Sequence, residues 1–114
     1  MERSAADLCV VLVTAPDGET GRRLARLLVD RRLAACVNVV PGLVSVYRWE
    51  GKVQQDDEVL LVVKTAPGRL AALETAIAEA HPYDVPEIVA LPTLATHGPY
   101  LAWARGETGG GEGE

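Results

Sequence analysis

Apolar residues along this chain fall into runs whose spacing changes from one stretch to the next. Residues 8–13 (LCVVLV) are continuously apolar and rich in valine, which predicts a short buried strand. Thr14-Ala15-Pro16-Asp17-Gly18 follows as a turn, with Asp17 placed to cap a helix. From about residue 19 to 32 the period becomes helical. Leu24, Leu27 and Leu28 form an inner stripe, and Arg22, Arg23 and Arg26 fall on the opposite side. Residues 34–64 then organise everything around them as two Val- and Leu-rich arms that meet near Gly51. In the first arm, 35–49, Val44 and Val46 point one way while Ser45, Tyr47 and Trp49 point the other. Pro41-Gly42 interrupts that alternation and predicts a bulge or bend. The second arm ends in the unbroken run Val59-Leu60-Leu61-Val62-Val63, the pattern of a strand covered on both faces.

Beyond Lys64, Thr65 and Pro67 open a second helix whose stripe is Leu70, Leu73, Ile77 and Ala80. His81-Pro82 stops it, because proline disfavours a helical residue before it. Residues 85–91 read as a short strand at a sheet edge, flanked by Pro86 and Pro92. Gly98-Pro99 starts a short last helix in which Leu101 or Trp103 faces inward. Residues 1–7 are a polar extension. Residues 106–114, with five glycines, three glutamates and no apolar side chain, are expected to be disordered.

The order βαββαβ plus a terminal helix specifies an α+β, ferredoxin-like sandwich over residues 8–105. Right-handed crossovers place both main helices on one sheet face and leave the other face bare and apolar. Each hairpin arm, at about 15 residues, would run about 50 Å. A domain of this size has a radius of gyration near ~13 Å. The hairpin therefore overhangs its own domain, and it and the bare face both call for partner subunits.

Composition narrows the function classes. With 16 acidic and 11 basic residues the net charge is −5 and the pI about 5.0, which argues against a nucleic-acid binder. Neither a signal peptide nor a membrane span is visible, and Cys9 and Cys36 do not make a disulfide framework, so a reducing cytoplasm is the expected setting. Both cysteines sit in strand-like apolar surroundings, where an inert buried thiol is common.

One local cluster stands out for chemistry, His81-Pro82-Tyr83-Asp84-Val85-Pro86-Glu87. A histidine at a helix C-terminus, where the dipole favours its protonated form, beside Asp84 and Glu87, suits a metal ion or a proton shuttle. The competing reading is a surface histidine that stops a helix in a rigid turn. A second group is aromatic: Tyr47, Trp49, Tyr83, Tyr100 and Trp103, which suit interface anchoring or the wall of a ligand cleft. Lys64, closing a strand, and Lys52, at the hairpin tip, are placed either to meet an anionic ligand or to be solvated. His97 reads as turn material. GxSxG, P-loop and CxxC patterns are missing, and nothing specifies a reaction.

Taken in order, TAPD at 14–17, LAAC at 33–36, YRWEGK at 47–52, VVKT at 62–65, HPYDVPE at 81–87 and YLAW at 100–103 resemble the CutA divalent-cation tolerance family. The resemblance covers about residues 8–105. It implies a small cytoplasmic, non-enzymatic protein that forms a homotrimer similar in architecture to PII-type signalling proteins. It also implies involvement in tolerance of copper and other divalent cations. Copper-linked members carry a cysteine just before TAP and a second histidine before HPY. Here Val13 and Ala80 stand there, so His81 is the metal-site residue that transfers, with weak copper binding expected. Inter-subunit clefts are expected near Tyr47, Trp49, Lys64, Tyr83, Asp84 and Glu87. The alternative reading is a PII-like sensor that binds a small anionic metabolite in those clefts.

Overall fold

A computed structural model describes the chain at residues 2–3 and 7–109. Its main sheet has four antiparallel strands: β2 (Cys9–Ala15), β3 (Cys36–Trp49), β4 (Lys52–Thr65) and β5 (Ile88–Pro92), in the order β3-β4-β2-β5. That is the expected sandwich order, with β5 at an edge as its prolines predicted. A separate two-stranded ladder pairs β1 (Glu2–Arg3) with β6 (Ala95–Thr96). It was not expected from the polar N-terminal extension. The strand predicted over 85–91 begins only at Ile88, because Val85 to Glu87 belong to the loop that precedes it.

Helix α1 (Gly18–Asp30) starts where the sequence places it. The Asp17 side chain accepts the Thr20 amide at 2.8 Å, and that bond holds the carboxyl below its ordinary range. Gly21 lets the helix lie close on the sheet; a Cβ there would sit 2.9 Å from Val59. Helix α2 (Leu70–Ala80) follows a 3₁₀ turn at Pro67–Arg69 and ends at His81, which caps it in an extended conformation.

Both helices cover one sheet face. Leu24 and Leu28 from α1, Leu73 and Ile77 from α2, and Val11, Val13, Leu61 and Val63 from the sheet are all buried in one cluster. Burying each of these large side chains contributes roughly 1.5–3 kcal/mol. The run 59–63 is not covered on both faces, as its continuous apolarity suggested. Val59, Leu61 and Val63 are buried under the helices, whereas Leu60 and Val62 point to the opposite face and stay partly exposed.

The hairpin of β3 and β4 is the feature that places the site. Its tip is a two-residue turn in which Glu50 (φ 51) and Gly51 (φ 82) both take positive φ, the type I′ geometry that matches strand twist. Pairing shifts once, between Val40, which faces Leu60, and Leu43, which faces Glu58. Pro41 and Gly42 together oppose Val59, and Gly42 supplies φ 82. One extra residue reverses the side-chain alternation. Before the bulge Val37 and Val39 face the helices; after it Ser45, Tyr47 and Trp49 take the open face, in register with Asp56, Gln54 and Lys52.

Helix α3 (Gly98–Glu107) seats Tyr100 and Leu101 against Leu8, Ala35 and Ala104, so Leu101 is the inward residue and Trp103 stays exposed. The expected disordered tail needs correcting at its start. Gly106 and Glu107 continue α3, and Thr108 is fully buried, its hydroxyl bonded to the Ala104 carbonyl. The Arg69 Nε donates to the Thr108 carbonyl at 2.6 Å, and Arg32 donates to the Glu107 carbonyl at 3.1 Å. Two arginines distant in sequence thus satisfy helix-end carbonyls that glycine content alone would leave loose. Residues 110–114 lie outside the described residues.

Candidate functional site

The strand alternation set by the bulge brings Tyr47 and Trp49 over the end of the sheet where the loop 81–87 turns into β5. Between them lies a cleft of about 640 Å³. Ser45, Val46, Tyr47 and Trp49 line it from β3, Glu58 from β4 and Thr14 from β2. Tyr83, Asp84, Val85 and Glu87 close it from the loop. Its size is that of a small-molecule site.

His81 is the hinge of the loop rather than a wall of the cleft. It is buried, at 7% exposure. Its Nε2 lies 2.7 Å from the Thr14 carbonyl, and its Nδ1 accepts the Tyr83 amide at 3.1 Å. A carbonyl only accepts and an amide N–H only donates, so these partners require the imidazole to carry its proton on Nε2 and keep a lone pair on Nδ1. The doubly protonated ring suggested by the helix dipole would turn an N–H onto the Tyr83 amide. The competing reading, a helix stop in a rigid turn, holds for its place at the end of α2, but the ring is buried rather than on the surface. Both nitrogens are committed to pinning the loop to β2. Among the described residues, no three or more His, Cys, Asp or Glu side chains converge as a metal-ion ligand set.

The pinned loop aims Tyr83 inward. Its ring lies 4.6 Å from the His81 ring, and its hydroxyl donates to Glu58 Oε2 at 2.7 Å. Tyr47 donates its hydroxyl to Asp56 on the neighbouring strand. Burial, the Glu58 hydrogen bond and the negative charge of Glu58 push the Tyr83 phenol well above its ordinary value of 10.0. The Asp56 hydrogen bond, with burial and the charges of Asp56 and Glu58, raises Tyr47 as well.

A phenol raised in the folded state carries stability that is present below its unfolded value and lost as pH rises through the folded one. Burial raises Tyr100 too, so ultraviolet titration should show all three tyrosines, 47, 83 and 100, ionising later in Glu58-intact protein than free phenol does. Glu58→Gln should bring Tyr83 back toward the ordinary range. Unchanged titration in that variant would show that Glu58 does not set the Tyr83 environment.

Of the residues expected at inter-subunit clefts, Tyr47, Trp49, Tyr83, Asp84 and Glu87 line this cleft within one chain. Lys64 does not. It lies at the far end of β4, opposite Cys36, where its ammonium donates to Asn38 and sits 3.9 Å from the Cys36 sulfur. Among the described residues the lining therefore contains Glu58, Asp84 and Glu87 and no lysine or arginine, a sign opposite to that wanted by an anionic ligand. Glu58 was missed in the sequence. No local signal marks it: Glu58 shares the open face of Leu60 and Val62, and its burial comes from Tyr83, 25 residues away.

Comparison with known proteins agrees with this geometry. The model of the CutA1 divalent ion tolerance protein family matches residues 9–107. A divalent-cation tolerance protein CutA of Thermus thermophilus is 52% identical over 100 residues, covering 88% of this chain and 97% of that protein. Its solved structure superposes with a TM-score of 0.86 over 88% of this chain and 97% of that one. A chloroplastic CutA protein of Arabidopsis thaliana is 50% identical over 99 residues; the match takes in 87% of this chain but 54% of that longer protein. A structure described as a periplasmic divalent cation tolerance protein CutA, from Archaeoglobus fulgidus, is 32% identical with a TM-score of 0.86, covering 89% of this chain and 98% of that one. With the family model spanning nearly the whole described fold and a relative 52% identical over 88% of this chain, this chain belongs to the CutA1 divalent ion tolerance family.

Proposed function

We propose that this protein works as a homotrimer of PII-like architecture, a non-enzymatic component of divalent-cation tolerance that acts in the cytoplasm. The observation that carries the assembly is apolar surface with no cover in the chain. Val44, Val46 and Val53 on the overhanging hairpin are 54%, 63% and 63% exposed. On the helix-free sheet face Val40, Val89 and Leu91 are exposed as well. A patch of this kind on a small domain marks an interaction surface, and a second and third copy of the chain would cover it with the matching surface. The hairpin is also the wall of the cleft, so assembly and site would be built from the same strands.

Two free cysteines, Cys9 buried and Cys36 partly buried, suit a reducing compartment. No helix among the described residues is long and apolar enough to cross a membrane.

A resident copper ion does not fit the donors of one chain. His81 would have to give up the Thr14 or the Tyr83 bond to offer a nitrogen, and among the described residues no group of three or more His, Cys, Asp or Glu side chains gathers to hold a metal ion. The alternative, a sensor of a small anionic metabolite, needs a cation in the cleft that one chain does not supply.

Multi-angle light scattering at micromolar concentration tests the assembly. The expected mass is three times the 12.1 kDa of the chain. A stable monomer would refute it, and the paired substitution Val46→Lys with Val53→Lys is expected to break the trimer while leaving helix content intact.

A further inference from the structure

The cleft carries a charge pattern that neither reading above uses. Glu58 is nine-tenths buried at 9% exposure. Its one observed partner among the described residues is the neutral Tyr83 hydroxyl at Oε2, and no lysine, arginine or histidine pairs with it. Leaving a carboxylate buried without a cation is costly, and such groups are normally paired. Around it stand two further carboxylates, Asp84 and Glu87, and two open aromatic faces, Tyr47 at 42% and Trp49 at 47% exposure.

Two ligand classes fit negative charge, and the geometry separates them. A bare divalent ion wants several oxygen ligands converging within about 2.0–2.6 Å, and the acidic side chains do not gather into such a group. An aromatic wall beside a buried carboxylate suits instead a larger cation that spreads its charge. Guanidinium and alkylammonium groups are held over Trp and Tyr faces and hydrogen-bond a carboxylate with their N–H donors.

We infer that this cleft is a binding site for a small organic cation bearing a guanidinium or alkylammonium group, with Glu58 as its counter-ion and Trp49 and Tyr47 as its aromatic wall. The inference rests on the cleft as one chain forms it and does not depend on copper; the hairpin strands that wall it are those through which the proposed assembly forms.

Isothermal titration calorimetry of the full-length protein with agmatine, putrescine and citrate tests it. Agmatine or putrescine is expected to bind saturably and more weakly at raised salt, and citrate is expected not to bind. Glu58→Gln keeps an acceptor for Tyr83 and should weaken cation binding at least about tenfold, the scale of one lost charge-assisted bond. Trp49→Leu, on the exposed hairpin and remote from the core, should weaken it several-fold and serves as the second variant if Glu58→Gln does not fold. Absence of saturable binding by both cations overturns the inference. So does affinity that ignores both substitutions, or binding of citrate in their place. Loss of the trimer with cation binding retained would sink the assembly proposal and leave this one standing.

Discussion

Replacing His81 by alanine is expected to cost about 2–4 kcal/mol of folding stability and to leave any copper affinity unchanged. The substitution strips partners from two groups. The Thr14 carbonyl loses the bond from Nε2, and the Tyr83 amide loses Nδ1 as its acceptor. Thr14 and His81 are both buried, so water does not readily replace either bond. Tyr83 follows its amide, and its hydroxyl then loses the geometry that reaches Glu58 at 2.7 Å. The rescue pattern identifies the cause. His81→Gln places an amide nitrogen near the Nε2 position and should recover the Thr14 bond, whereas His81→Asn should recover the acceptor for Tyr83. Each is expected to restore part of the lost stability. Chemical denaturation of the three variants, run beside Cu(II) calorimetry, provides the measurement. A variant with unchanged stability but lost copper binding would make His81 a metal ligand after all.

Inserting one residue between Glu58 and Val59 should abolish the cleft while leaving most of the helix-covered core folded. The bulge sets two residues, Pro41 and Gly42, against Val59. With a second residue opposite them the strands pair two for two between Val40 and Leu43. Leu43 keeps Glu58 as its partner, but every residue from there to the tip changes sides. Tyr47, Trp49 and Glu58 would move together to the helix side, out of reach of Tyr83. The core cluster is untouched by this change, since Val59, Leu61 and Val63 keep their pairing with β2. Far-ultraviolet circular dichroism should show retained helix, with Tyr83 titrating nearer its ordinary range and no cation binding. Deleting Gly42 is the control. Pro41 alone then opposes Val59, every later pair keeps its partner and its face, and the cleft should survive. If the insertion leaves Tyr83 still bonded to Glu58, the bulge does not set the facing of the strand.

Much of this fold was legible in the residues alone because it depends on local periodicity. The Leu24–Leu28 stripe, the Asp17 cap, the Pro41-Gly42 bulge and the His81-Pro82 stop each depend on residues a few positions apart, and each appears where expected. The membership of most cleft residues was legible too, through motifs and the alternation of Ser45, Tyr47 and Trp49.

What the sequence by itself determined was therefore the element order, the antiparallel plan, the existence of a long hairpin and the neighbourhood of Tyr47, Trp49, Tyr83, Asp84 and Glu87. Only the tertiary structure decided the roles. It buried His81 and occupied both its nitrogens with groups 67 and 2 residues away. It carried Lys64 off to Asn38 at the other end of β4, brought Glu58 beside Tyr83, and tied Thr108 to Arg69. The physical reason is common to all of these. Hydrophobic period and turn chemistry are written within a few residues, whereas the partner of a polar group depends on which distant strand the fold lays beside it. In this chain those partners make His81 a loop anchor and gather Glu58, Asp84 and Glu87 in one cleft.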